Sequence, residues 1–296
     1  MADGIDVLNI SAWISCSGSV GESPCWADCD CGGLNADLES AADNGVLTVM
    51  GHGNFFDPGI GTCNAVYPAL RRSGLSAAHL DTDPITTNYD STTSHTQASR
   101  GGMAIRLHGG TVRQDAFAVA DLAAPGDHSY MYATPPFGYE TTSVYAGSSY
   151  ASPAVAGAAG MLREHFSSLG WTTNGRVLLA NMILMGDSYA FDYGGDRRTR
   201  MDPRSGAGRT HMHYPASANL TAPWGWGWHV FNIGNSSTVA FTVWDSGPES
   251  PLLRQWKVAM TWKETDYAAA ADMILEVYNT CPSGGGPPVL VANDTS

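Results

Sequence analysis

Residues 145–160 read Y-A-G-S-S-Y-A-S-P-A-V-A-G-A-A-G. Small side chains fill almost all of this run, so a helix built from it can lie close against a sheet. Two serines, Ser148 and Ser149, stand where such a helix would begin. Ser149 has two readings. It can cap a buried helix of small residues, or it can be a nucleophile that gains exposure and a positive local potential from the helix N-terminus. A serine nucleophile needs a base within hydrogen-bond reach and donors for the oxyanion. The expected helix runs from about Ser149 to Phe166, with Pro153 tolerated in its first turn. A nucleophile elbow of the α/β-hydrolase kind requires G-x-S-x-G; here Ala151 takes the fifth position and Ser152-Pro153 follows, which disfavours it.

The flanking sequence supplies the sheet. Residues 5–11, I-D-V-L-N-I-S, read as a buried strand. The stretch G-G-L-N-A-D-L-E-S-A-A-D-N-G reads as a helix with Leu34, Leu38, Ala41 and Ala42 on one face, stopped by Asn44-Gly45. V-L-T-V-M at 46–50 is the next buried strand. A strand, a helix and a near-continuous apolar strand in succession indicate a βαβ unit and a parallel sheet. From about 52 to 100 the chain reads mostly as loop. A strand and turn follow at 116–126, and an apolar helix at 176–185. Beyond about 215 short strand candidates such as D-M-I-L-E-V-Y alternate with turn clusters, which predicts a small antiparallel β domain over 215–296.

At 296 residues with a formal net charge of -13, the chain can bury a large core and repels polyanions, which argues against nucleic acid and anionic membranes as partners. No apolar run approaches the roughly 18 residues of a membrane span, and no signal segment follows Met1. Cys16, Cys25, Cys29 and Cys31 crowd one loop, with Cys63 and Cys281 elsewhere. Cys25 and Cys29 have a tolerable metal-ligand spacing, but no matching Cys/His pair follows. Disulfides in an oxidising compartment are the favoured reading, with pairing undetermined.

The run G-S-S-Y-A-S-P-A-V-A-G at 147–157 resembles the nucleophile motif of the subtilisin-like serine proteases, G-T-S-M-A-S-P-H-V-A-G, and differs from it at Ser148, Tyr150 and Ala154. Further segments resemble that family in its order. G-V-L-T-V-M-G-H-G-N at 45–54 is similar to G-V-V-V-V-A-A-A-G-N, whose Asn is the side-chain donor of the oxyanion hole. D-L-A-A-P-G at 121–126 and V-Y-P-A at 66–69 match other landmarks, and S-G-A-G-R at 205–209 sits where the protease domain usually closes. The resemblance covers roughly residues 4–214.

It implies an α/β fold, a subtilisin-like parallel sheet flanked by helices over 1–214, N-terminally incomplete, followed by a β-sandwich or jelly roll over 215–296. It implies a secreted serine endopeptidase acting on proteins or peptides, with Ser149 as nucleophile and Asn54 as oxyanion donor. Ser11, Ala12 and Trp13 would form one wall of the substrate cleft, and Met50, Gly51 and His52 the other. No cofactor is expected. The family often holds structural calcium, but no D-x-D-x-D-G loop appears.

The family's triad also needs an Asp in D-T-G and a His in H-G-T-H, both ahead of the strand ending in a substrate-binding segment that G-I-D-V-L-N-I-S at 4–11 resembles. Neither motif occurs in the 296 residues. The resemblance therefore leads to the expectation of a fragment lacking the triad Asp and His, and inactive in isolation. The alternative is a catalytically degenerate binding or scaffold protein on the same fold. A sugar platform built on Trp224, Trp226 and Trp228 is disfavoured against ordinary strand and core aromatics.

Overall fold

The computed structural model describes residues 4–12, 34–54, 69, 74–81, 93–94, 99, 105–106, 112–113, 120–128, 131–132, 139–140, 145–171, 173–187, 205–210, 212, 259, 261, 274–279 and 289–295. Trp13, all six cysteines and Trp224, Trp226 and Trp228 lie outside these residues.

The main sheet comprises β1 (Val7–Ile10), β2 (Leu47–Gly51), β3 (Leu75–Asp81), β4 (Thr93–Ser94), β5 (Leu122–Pro125), β6 (Gly186–Asp187) and β7 (Arg209–Thr210). Its order is β1-β2-β3-β5-β7-β6, with β4 paired to β3. The pairs β1–β2, β2–β3, β3–β5 and β5–β7 are parallel; β6 and β4 attach antiparallel. The expected parallel α/β sheet is present.

Among the described residues three helices cover it. α1 (Leu34–Asp43) ends at Asn44-Gly45 as its sequence predicts, its last turn closed by N–H bonds from Asn44, Gly45 and Val46. Leu38 of α1 packs on Met50 and Ala69 on one face of the sheet. α2 (Ser148–Ser168) and α3 (Gly175–Leu184) share the opposite face with Leu47, Val49, Leu75, Ala77, Leu122 and Ala124. Along β2 the side chains alternate between the two layers, and all five residues are buried. The small residues Ala151, Val155, Ala158 and Ala159 bring α2 down onto the strands, and Leu162 and Phe166 fill the space further along. Asn174 caps α3 by accepting from the Val177 N–H at 2.9 Å.

The structure corrects three expectations. β1 is not a buried strand: among the described residues it is the end strand of the sheet, with β2 on one side, and Leu8 is 39% exposed. β3 lies within the region read as loop, yet residues 75–80 are wholly buried at the centre of the sheet. Its sequence, L-S-A-A-H-L-D, lacks the β-branched and aromatic residues that mark strands. Pro153 falls in the second turn of α2, because the helix begins at Ser148. There it removes the bond its own N–H would have made to the Ser149 carbonyl.

Of the expected C-terminal β domain, the described residues include one antiparallel pair, Ile274–Asn279 with Val289–Thr295.

Leu162→Ala is expected to lower stability by about 2–5 kcal/mol through the cavity left under α2. Met161→Ala, one residue earlier but 62% exposed, should stay within about 0.5 kcal/mol. Urea unfolding of the two variants checks the placement of α2; equal losses would contradict it.

Candidate active site

The start of α2 meets the end of β2. Gly147, the N-cap, has φ 156° and ψ 162°, a region open essentially to glycine. A Cβ there would also lie 2.7 Å from Asn54 Nδ2. Ser148 is buried. It donates its N–H to Asn54 Oδ1 at 2.7 Å and accepts at Oγ from the Gly53 N–H at 2.9 Å. Gly51 lies directly beneath, where a Cβ would come 3.1 Å from Ser148 Oγ. Ser149, turned one step round the helix, is exposed.

A helix N-terminus presents N–H groups with no partner inside the helix. Here Ser148 gives its N–H to Asn54, while Tyr150 and Ala151 give theirs to the Gly147 carbonyl at 3.0 and 3.3 Å. Among the described residues the Ser149 N–H donates to nothing. Asn54 is oriented by the bond to its Oδ1, which leaves Nδ2 on the Gly147 side with no hydrogen bond among the described residues. An exposed hydroxyl therefore stands beside two unoccupied donors at the positive end of a helix. No imidazole or carboxylate among the described residues hydrogen-bonds Ser149 Oγ.

The residues expected to wall a cleft divide into two groups. Ser11 and Ala12 are exposed at the carboxyl end of β1. Ser11 Oγ lies 2.9 Å from Ser152 Oγ on α2. Met50, Gly51 and His52 are all buried, because β2 is covered on both faces. That segment offers a ligand no side chain. Trp13 lies outside the described residues.

His52 points to the sheet face away from α2, where its Nδ1 bonds Ser76 Oγ at 2.8 Å. Its Nε2 is buried without a partner among the described residues. Burial lowers its pKa from 6.5 to about 4, so the ring is neutral and is not the base for Ser149. On the same face Asp121 Oδ2 accepts from the Ser76 N–H at 2.7 Å. Burial raises its pKa from 3.8 to about 7, against the Ser76 bond, which lowers it. Ser148, Ser152, Ser76 and Asp121 were not legible as site residues. The spacing of Ser148 and Ser152 by four was their one signal, since it puts both on the inner face of α2 when Ser149 faces out.

The subtilase family model matches residues 1–221. The chain belongs to the subtilase family. Among solved structures it is similar to the self-cleaved protease domain of PatA (20% identity, TM-score 0.46, covering 71% of this chain and 60% of that one). It is similar also to a protease from Pseudoalteromonas arctica (18%, TM-score 0.44, 72% and 51%), and to the prenylagaramide maturation protease PagA (20%, TM-score 0.48, 74% and 62%). The chain thus spans 51–62% of the length of these structures. No curated protein matches it.

The buried His52 and the half-buried Asp121 set a pH signature. His52 holds fewer protons in the folded state between pH about 4 and 6.5, so its contribution to stability rises with pH there. Asp121 holds more protons in the folded state between 3.8 and about 7, so its contribution falls as pH rises through that window. The slopes oppose one another in the wild type. Asp121→Asn removes the second, and urea midpoints at pH 4.5 and 6.5 should then show stability rising with pH more steeply than in the wild type. An unchanged slope would count against burial of the Asp121 carboxyl.

Proposed function

We propose that this chain carries the nucleophile and the oxyanion hole of a serine endopeptidase, with Ser149 forming the acyl-enzyme. One observation carries the reading. Ser149 is the one residue at the start of α2 whose hydroxyl is exposed and whose N–H is unoccupied among the described residues, and the free Nδ2 of Asn54 is fixed beside the same helix start. Such a pair of donors suits the negative charge that develops on a carbonyl oxygen under attack. The substrate is a protein or peptide, laid against Ser11 and Ala12 on one side and the main chain of 50–52 on the other.

In this reading the base and its carboxylate partner come from polypeptide outside the 296 residues. That no imidazole or carboxylate among the described residues hydrogen-bonds Ser149 Oγ supports that. Without an imidazole the hydroxyl stays protonated and weak, and the isolated chain is inactive and of low stability. The domain boundary falls near 214, the segment 215–296 forms a β-sandwich, and the protein is secreted with its cysteines in disulfides. The antiparallel pair Ile274–Asn279 with Val289–Thr295 suits that sandwich. The second reading is a degenerate subtilase-fold binding protein, favoured by the same lack of a base on Ser149 among the described residues.

A fluorophosphonate probe decides between them. The full-length gene product should be labelled at Ser149, and Ser149→Ala should abolish both labelling and peptide hydrolysis. Asn54→Ala should lower kcat by about 10²–10³-fold, the loss known for the corresponding asparagine of a subtilisin. Labelling elsewhere, or none, would leave the binding-protein reading.

A further inference from the structure

Three polar side chains from two distant segments close a ring beneath the site. Asn9 Nδ2 donates to Ser11 Oγ at 2.8 Å. Ser152 Oγ donates to Asn9 Oδ1 at 2.7 Å. The third side, Ser11 Oγ to Ser152 Oγ, is 2.9 Å. Its direction follows from the other two. A hydroxyl has one proton, and that of Ser152 is already given to Asn9, so Ser11 must donate to Ser152. The ring then runs one way, Asn9 to Ser11 to Ser152 and back to Asn9, and each hydroxyl donates once and accepts once.

Two consequences follow. Ser152 is fully buried on α2, three residues after Ser149, whereas Asn9 on β1 and Ser11 just beyond it are exposed. The ring is therefore a polar tie between the free carboxyl end of β1 and the helix that carries Ser149. And although Ser11 is exposed, its proton is committed inward. A substrate crossing Ser11 finds no hydroxyl donor there and must be held by the main chain.

We propose that Ser152 is a positioning residue for substrate binding: through the ring it sets the distance between the wall at Ser11–Ala12 and the nucleophile, and the Ser11 hydroxyl serves as a link in that ring and not as a substrate contact, which is left to the main chain. The inference rests on the peptidase reading above. The wall holds the substrate in the ground state and the transition state alike, so loosening it acts on KM and leaves kcat nearly unchanged. The oxyanion donors act in the opposite sense, on kcat.

The test is a double-mutant cycle on the full-length gene product with a chromogenic peptide substrate. Ser152→Ala should raise KM by about tenfold with kcat within about twofold, the scale of one lost hydrogen bond. Ser11→Ala, on the exposed side and so free of folding trouble, should do the same. The double variant should be no worse than Ser152→Ala alone, because opening the ring once removes the tie. Additive losses would show Ser11 touching substrate directly, and an unchanged KM in either single variant would show a tie without effect; each overturns the proposal while leaving the peptidase reading intact. A loss confined to kcat overturns it as well. A wild type that neither cleaves peptides nor takes the fluorophosphonate at Ser149 overturns the peptidase reading and this inference with it.

Discussion

The hydrogen bond from the Ser148 N–H to Asn54 Oδ1 joins the beginning of α2 to the segment that leaves β2, and the geometry of the candidate site depends on it. A side chain from another part of the chain thereby does the work of an N-cap, which Gly147, lacking a side chain, leaves undone. Such caps contribute about 1 kcal/mol. The larger effect is directional. Once Oδ1 is taken, the amide has one orientation, and Nδ2 faces Gly147. The φ of 156° at Gly147 and the absence of a Cβ there are both conditions for that approach. The Gly53 N–H to Ser148 Oγ bond closes the same contact from the other side, so the junction resists both translation and rotation of the helix start.

The sheet sets where this junction falls. Parallel strands present their carboxyl ends together, and ligand sites on open α/β sheets gather beyond them. Here β1 ends before Ser11 and β2 before Asn54, and α2 starts above the same edge. The opposite face carries a polar group of its own: His52, Ser76 and Asp121, with Thr48 Oγ1 and His52 Nε2 unpaired among the described residues. Each such orphan costs about 1–3 kcal/mol. The apolar packing of α2 and α3 on the other face must offset that cost. Destabilising polar burial next to a segment of fixed geometry is a pattern found where function constrains the residues.

The parallel βαβ core and the α2 helix were legible because periodicity and small-residue content speak about local structure. α1 stopped where Asn44-Gly45 indicated, and β2 was a plain apolar run. β3 was not legible: Ser76, Ala77, Ala78 and His79 have no strand preference, and their burial comes from the neighbours β2 and β5 on either side. β1 misled in the other direction, since V-L-N-I looks buried by composition while the sheet leaves it at the end. At the site, Ser149 and Asn54 could be singled out by motif. The environment of His52 could not, because side-chain direction at a strand end depends on register, and register is a property of the pairing.

The three serines at the head of α2 illustrate how helical geometry assigns chemistry to otherwise equivalent groups. Ser148 and Ser152 are four apart and so share the inner face. The oxygen of Ser148 is consumed as an acceptor for Gly53, and the proton of Ser152 is consumed as a donor to Asn9. Ser149 is rotated by about 100° from Ser148, which takes it out of the layer where partners are available. Its hydroxyl and its N–H stay unengaged among the described residues, while the serines beside it are tied to Gly53, Asn54 and Asn9. A reactive position of this kind need not be built by adding groups around a serine. It arises when the adjacent serines satisfy the scaffold completely and leave one residue facing the solvent with its donor and its nucleophile both free.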